Sequence, residues 1–82
     1  MEAVFIRRVR ALGGRSYKFA PVHAGNPDRI VLMPGGEVHL VEIKALGGRL
    51  HPAQVVWHRQ AAVLGTNVYL VTGPDEARAW TP

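Results

Sequence analysis

The chain has 82 residues, 48% of them hydrophobic, and a formal net charge of +4. That length allows one small domain, residues 1–82, with a real apolar core, and it excludes long disordered tracts. The absence of cysteine excludes disulfides and thiolate zinc sites.

No apolar run reaches the roughly 18 residues that a membrane span needs. The opening MEAVFIRRVRALGG keeps its arginines inside the apolar run, unlike a secretory leader. Eight of the ten basic residues are Arg, whose planar fork suits phosphate, so the charge balance favours a polyanion, most often nucleic acid.

In chain order, EAVFIRRVRAL (2–12) predicts a helix, with Phe5, Val9 and Leu12 at helical spacing on one face and Gly13-Gly14 ending it. RSYKFA (15–20) alternates and predicts a strand. HAGNPD (23–28) is turn chemistry: Gly25 is permissive, and Pro27 holds Asn26 extended. DRIVLM (28–33) predicts a second strand, PGGE a tight hairpin turn, and EVHLVEIKA a third strand. PAQVVWHRQAAVLG (52–65) predicts a helix with Pro52 in its first turn. NVYLVT (67–72) predicts a fourth strand, parallel to a neighbour because a helix precedes it. PDEARAW (74–80) predicts a short last helix. The order αβββαβ(α) implies an α/β fold, a mixed sheet flanked by helices.

Two charges in this pattern need explaining. Within HLVEIK, Glu42 and Lys44 stand at i and i+2 among apolar neighbours, so both face one side of a largely apolar strand. A tight turn between the second and third strands sets the start of one beside the end of the other, which brings Asp28 to Glu42 and Lys44. Two close carboxylates repel unless a cation intervenes. A hard divalent ion answers this, with one oxygen each from Asp28 and Glu42, the carbonyl of Ile43, water and a phosphate oxygen. Lys44 is then placed to orient water or stabilise a phosphorane-like transition state. From the charges alone, a solvated ion-pair cluster is the stronger reading. The apolar Val41 and Ile43 weigh against a solvated face.

GNPDRIVLMPGGEVHLVEIKALGGRLHPAQVVWHRQ, read through to NVYLV, resembles the VRR-NUC branch of the PD-(D/E)xK nuclease superfamily. The matching features are Gly25, Pro27-Asp28, Glu42-x-Lys44, the Gly47-Gly48 loop and Gln54-x-x-Trp57. The resemblance implies a restriction-endonuclease-like core and a Mg²⁺- or Mn²⁺-dependent DNA endonuclease. It implies Asp28, Glu42 and the Ile43 carbonyl as metal ligands, a catalytic Lys44, and Gln54 supporting the site by hydrogen bonding. Glu2 is the one residue that matches the acidic position of the first helix. Stand-alone phage and bacterial members of the family resemble homodimers that cut branched DNA, including four-way (Holliday) junctions. That implies an intracellular setting, the cytoplasm of a bacterium or a phage-infected host. A nicking nuclease without junction preference and a catalytically inactive DNA-binding module remain alternatives.

Arg15, Lys18, Arg29 and Arg49 lie near the proposed site in sequence and are candidates to touch the DNA backbone. Trp57 is a candidate for core or dimer surface, with base stacking the lesser reading, and Tyr69 and Trp80 are candidates to pack against a partner subunit. The histidines at 23, 39, 51 and 58 have no zinc-binding spacing.

Overall fold

The protein is described by a computed structural model covering residues 1–82. Helix α1 (Glu2–Ala11) leads into strand β1 (Arg15–Lys18). Strands β2 (Arg29–Met33) and β3 (Glu37–Lys44) follow, joined by one 3-10 turn over Pro34–Gly36. Helix α2 (Pro52–Val63), strand β4 (Val68–Thr72) and helix α3 (Gly73–Ala79) complete the chain. The hairpin turn is three residues long, because Met33 pairs with Glu37, and Gly35 and Gly36 take the positive φ values it requires.

The sheet order is β1-β2-β3-β4, antiparallel across the first two junctions and parallel between β3 and β4. The parallel pair is the consequence of α2, which carries the chain back over the sheet so that β4 restarts in the direction of β3. No helix is long and apolar enough to cross a membrane.

Val31, Val41, Ile43 and Val71 point to one face of the sheet and pack with Phe5 and Val9 of α1, Ala77 of α3, and Trp80. The core therefore lies between the sheet and the α1–α3 layer. Strand alternation sends Ile30, Leu40, Glu42 and Lys44 to the opposite face, where Leu40 shares an apolar groove of about 410 Å³ with Trp57 and Ala61 of α2.

Trp80 sits inside the core instead of on a partner surface. It is 6% exposed, its ring meets Phe5 edge-on at 5.3 Å and Tyr69 at 5.5 Å, and its carbonyl accepts a 2.8 Å hydrogen bond from Arg8 Nε. Trp80 is the largest side chain in the core cluster. Tyr69 joins the same aromatic cluster, and Arg8 is held by this bond while Arg7 and Arg10 stay exposed.

Candidate active site

The antiparallel register pairs Arg29 with Val41, so Asp28 stands at the row of Glu42 where β2 begins and β3 ends. One Asp28 oxygen accepts the Ile43 N–H at 3.2 Å and the other lies at 3.4 Å from it. Ile43 is thus tied to the Asp28 side chain where a ladder partner would stand. Continued by one residue, the register sets Pro27 opposite Ile43. Proline has no N–H, so it cannot claim the Ile43 carbonyl as the ladder would. The Pro27-Asp28 pair therefore does two things locally: it delivers a carboxylate and withholds a donor.

Glu42 is 3% exposed, and its Oε1 is buried without a hydrogen-bond partner. Its Oε2 lies 3.7 Å from Lys44 Nζ. Burial pushes the Glu42 carboxyl above the ordinary carboxylate range, and the Asp28 carboxylate pushes it further; Lys44 and Gln54 pull the other way. Asp28 is also raised, first by burial and then by Glu2, against the opposing Ile43 N–H and the Arg29 charge. Glu2 is exposed on the first turn of α1, and its negative charge contributes to the rise at Asp28.

Gln54 arrives from α2. Its Oε1 accepts the His51 N–H at 2.8 Å, closing the first turn of the helix and fixing the side chain beside Glu42. The approach of α2 depends on Gly25. That residue has φ +87°, and a Cβ there would collide with the Ala53 carbonyl in the first turn of α2. Asn26, which the sequence marked only as a turn residue, is buried and clamps this loop. Its amide donates to the Ala20 and Pro27 carbonyls at 3.2 and 2.9 Å, and its Oδ1 accepts the His23 N–H at 3.1 Å. An Asn ahead of a Pro in a Gly-containing turn is the signal that pointed to it.

The basic candidates divide. Arg49 is exposed in the loop after β3, on the side of the site. Arg15 is exposed at the opposite end of the sheet, paired with Leu32, and Lys18 alternates onto the face away from Glu42. Arg29 is a correction. It is 5% exposed, its Nε donates to Ser16 Oγ at 3.0 Å and its Nη2 to the Ser16 carbonyl at 3.1 Å. A guanidinium spent on β1 in this way braces the sheet edge and is withdrawn from the DNA backbone. Strand alternation carried the information: Arg29 shares the core face with Val31.

Nowhere do three or more His, Cys, Asp or Glu side chains converge to cage a metal. Two neighbouring carboxyls both raised by burial, with Asp28 also opposing the ionisation of Glu42, one buried carboxylate oxygen without a partner, and a carbonyl facing a proline fit a hard ion that keeps several waters and takes few protein ligands. His23 and His51 lie outside this set. They line a cleft of about 350 Å³ with Asn26 and Gln54, between the 21–26 loop and the start of α2.

No family model matches the chain. A protein described as "Putative nuclease p44", from Acyrthosiphon pisum secondary endosymbiont phage 1, is 37% identical over 76 residues, covering 92% of this chain and 82% of that protein. A solved structure described as a VRR_NUC domain superposes with a TM-score of 0.84 at 28% identity, over 95% of this chain and 86% of that one. The superposition spans the mixed four-stranded sheet and the three helices described above. The chain belongs to the VRR-NUC nuclease family.

Proposed function

We propose that the protein is a Mg²⁺- or Mn²⁺-dependent DNA endonuclease that hydrolyses phosphodiester bonds at Asp28, Glu42 and Lys44, working as a homodimer on branched DNA such as four-way junctions. The observation that carries this is the pair of neighbouring carboxyls, both driven above their ordinary pKa, one with an oxygen buried and unpartnered. As a purely structural feature this pair costs stability. As a cation site it is explained.

Asp28 and Glu42 each offer one oxygen to the ion, and the Ile43 carbonyl offers a third. Bound there, a divalent ion acidifies water and neutralises charge on the phosphate. Lys44 lies beside Glu42 and directs its ammonium at the attacking water or the phosphate oxygens. Gln54 holds the Glu42 carboxylate in place from α2. Glu2 adds negative charge at the rim of the site.

One acid pair per chain supplies one nick. Cutting two strands symmetrically at a junction calls for two chains about a two-fold axis. The same count favours the second reading, a nicking enzyme without junction preference. A binding module without catalysis is disfavoured by the presence of Lys44 beside the acid pair.

Cleavage of a four-way junction, a flap, a plain duplex and a single strand, with Mg²⁺, with Mn²⁺ and with chelator, separates these readings. The proposal expects junction cleavage that chelator abolishes, and its loss in Asp28→Ala and Glu42→Ala. Equal nicking of all duplex substrates supports the second reading. Cleavage by either variant at the parent rate refutes the site.

A further inference from the structure

The sheet face that carries Asp28 and Glu42 is only partly covered by α2. Toward the edge strand β1 it is open: Tyr17 is 53% exposed, Leu32 44% and Val38 56%. The register places Tyr17 opposite Ile30, and Ile30 opposite Leu40. The next row toward the site holds Asp28, whose carbonyl accepts the Phe19 N–H at 2.8 Å as the ladder runs on past β1. Tyr17 is therefore an exposed ring on the face of the acid pair, one row of side chains away. A row is two residues of strand, roughly 7 Å.

Arg15 lies one row further along the same face of β1 and is exposed. Asp28 and Glu42 are the only acids that the β1–β2–β3 pairing assigns to this face between Arg15 and Lys44. The rest is aromatic, aliphatic and cationic, on a chain of net charge +4. That balance suits a polyanion better than a second copy, which would set like charges against each other across the two-fold axis.

We propose that Tyr17 is a stacking platform for an unpaired nucleobase next to the scissile phosphate. It makes the enzyme prefer DNA with an unpaired base beside the cut, as at a flap or at a branch point whose pairs have opened, over perfect duplex. The proposal rests on the nuclease reading of the Asp28–Glu42 site. A ring can accept any base, because every base has a π face, and an unpaired base reaches it without the cost of leaving a duplex stack. Arg15 neutralises a phosphate further along the same strand.

The test compares the parent with Tyr17→Phe, Tyr17→Leu and Tyr17→Ala, all required to keep the parent's circular dichroism spectrum. Binding to a duplex, and to the same duplex with an unpaired 2-aminopurine at the branch, is measured in Ca²⁺ so that DNA is not consumed. Solution mass is measured alongside. The expected result is binding of the branched substrate about 5- to 100-fold weaker in the Leu and Ala variants, with duplex binding changed less than about twofold. Tyr17→Phe behaves as the parent, and 2-aminopurine fluorescence is quenched only where a ring is present. Equal loss on both substrates, or Leu matching Phe, overturns the proposal. A fall in mass in the Ala variant also overturns it and assigns the face to a second copy. If the parent cleaves nothing in Mg²⁺ or Mn²⁺, the nuclease reading fails, and the quenching still decides whether Tyr17 stacks a base.

Discussion

Replacing Glu42 by Gln should make the metal-free protein more stable while removing its response to metal. Glu42 is buried, has an unpartnered oxygen, and carries a carboxyl raised above its ordinary pKa by burial and by Asp28 despite the help of Lys44. A carboxyl whose folded pKa exceeds its unfolded one binds more protons in the native state. Its contribution to stability is complete below the unfolded pKa and is lost as pH rises through the folded value. Where the pH lies above that folded value the parent bears the full cost of the charge, and Gln, a neutral isostere, removes it. Relief of this kind at a functional site is worth on the order of 1 kcal/mol, which in a domain of this size is about 4–8 °C in Tm.

With metal the order should invert. Ligand at about 100 times Kd adds about 2.7 kcal/mol to the parent and nothing to a variant that cannot bind it. Thermal unfolding followed by circular dichroism, in chelator and in Mn²⁺, reads both effects. In chelator the advantage of Glu42→Gln should shrink as pH is lowered toward the carboxylate range, because parent Glu42 then protonates too. A Gln variant less stable than the parent in chelator at neutral pH is the contrary result. It would mean that the Lys44 contact outweighs burial and the Asp28 repulsion.

Four further variants have expected outcomes. Trp80→Ala should cost about 3–5 kcal/mol in denaturant unfolding, despite lying two residues from the chain end, because it empties the Phe5–Tyr69 contact. Gly25→Ala should destabilise by about 1–3 kcal/mol, through its left-handed backbone and the collision with Ala53. It should also lower the cleavage rate more than substrate affinity, because it shifts α2 and with it Gln54. Arg49→Ala should reduce the salt dependence of DNA binding by about one counterion. Arg29→Met should leave that slope unchanged and lower Tm instead, since its guanidinium is bound to Ser16.

The meeting of Asp28, Glu42 and Lys44 at one end of the sheet was legible because it depends on short-range rules. A three-residue turn at Pro34–Gly36 makes β2 and β3 antiparallel, and that alone brings Asp28 beside Glu42 and Lys44. The direction of β4 followed from the crossover helix before it. What the sequence did not disclose depends on contacts between distant segments. Arg29 read as a DNA contact because nothing local shows that Ser16, 13 residues away, takes up its guanidinium. Trp80 read as a partner contact because nothing local shows that Phe5 and Tyr69 enclose it. The contact of Gly25 with Ala53 likewise joins a loop to a helix that begins 27 residues further on. Reading strand alternation through Arg29 would have corrected the first of these, since it places that residue on the face of Val31 and away from that of Glu42.

The decisive measurement is Mn²⁺ binding by calorimetry beside DNA cleavage, in the parent, Asp28→Asn, Glu42→Gln and Lys44→Met. The parent should bind metal and cut. Asp28→Asn and Glu42→Gln should do neither, and Lys44→Met should bind metal at least as tightly as the parent without cutting. Metal bound undiminished by Glu42→Gln, or cleavage by the parent undiminished in chelator, would contradict a metal-dependent site at Asp28 and Glu42.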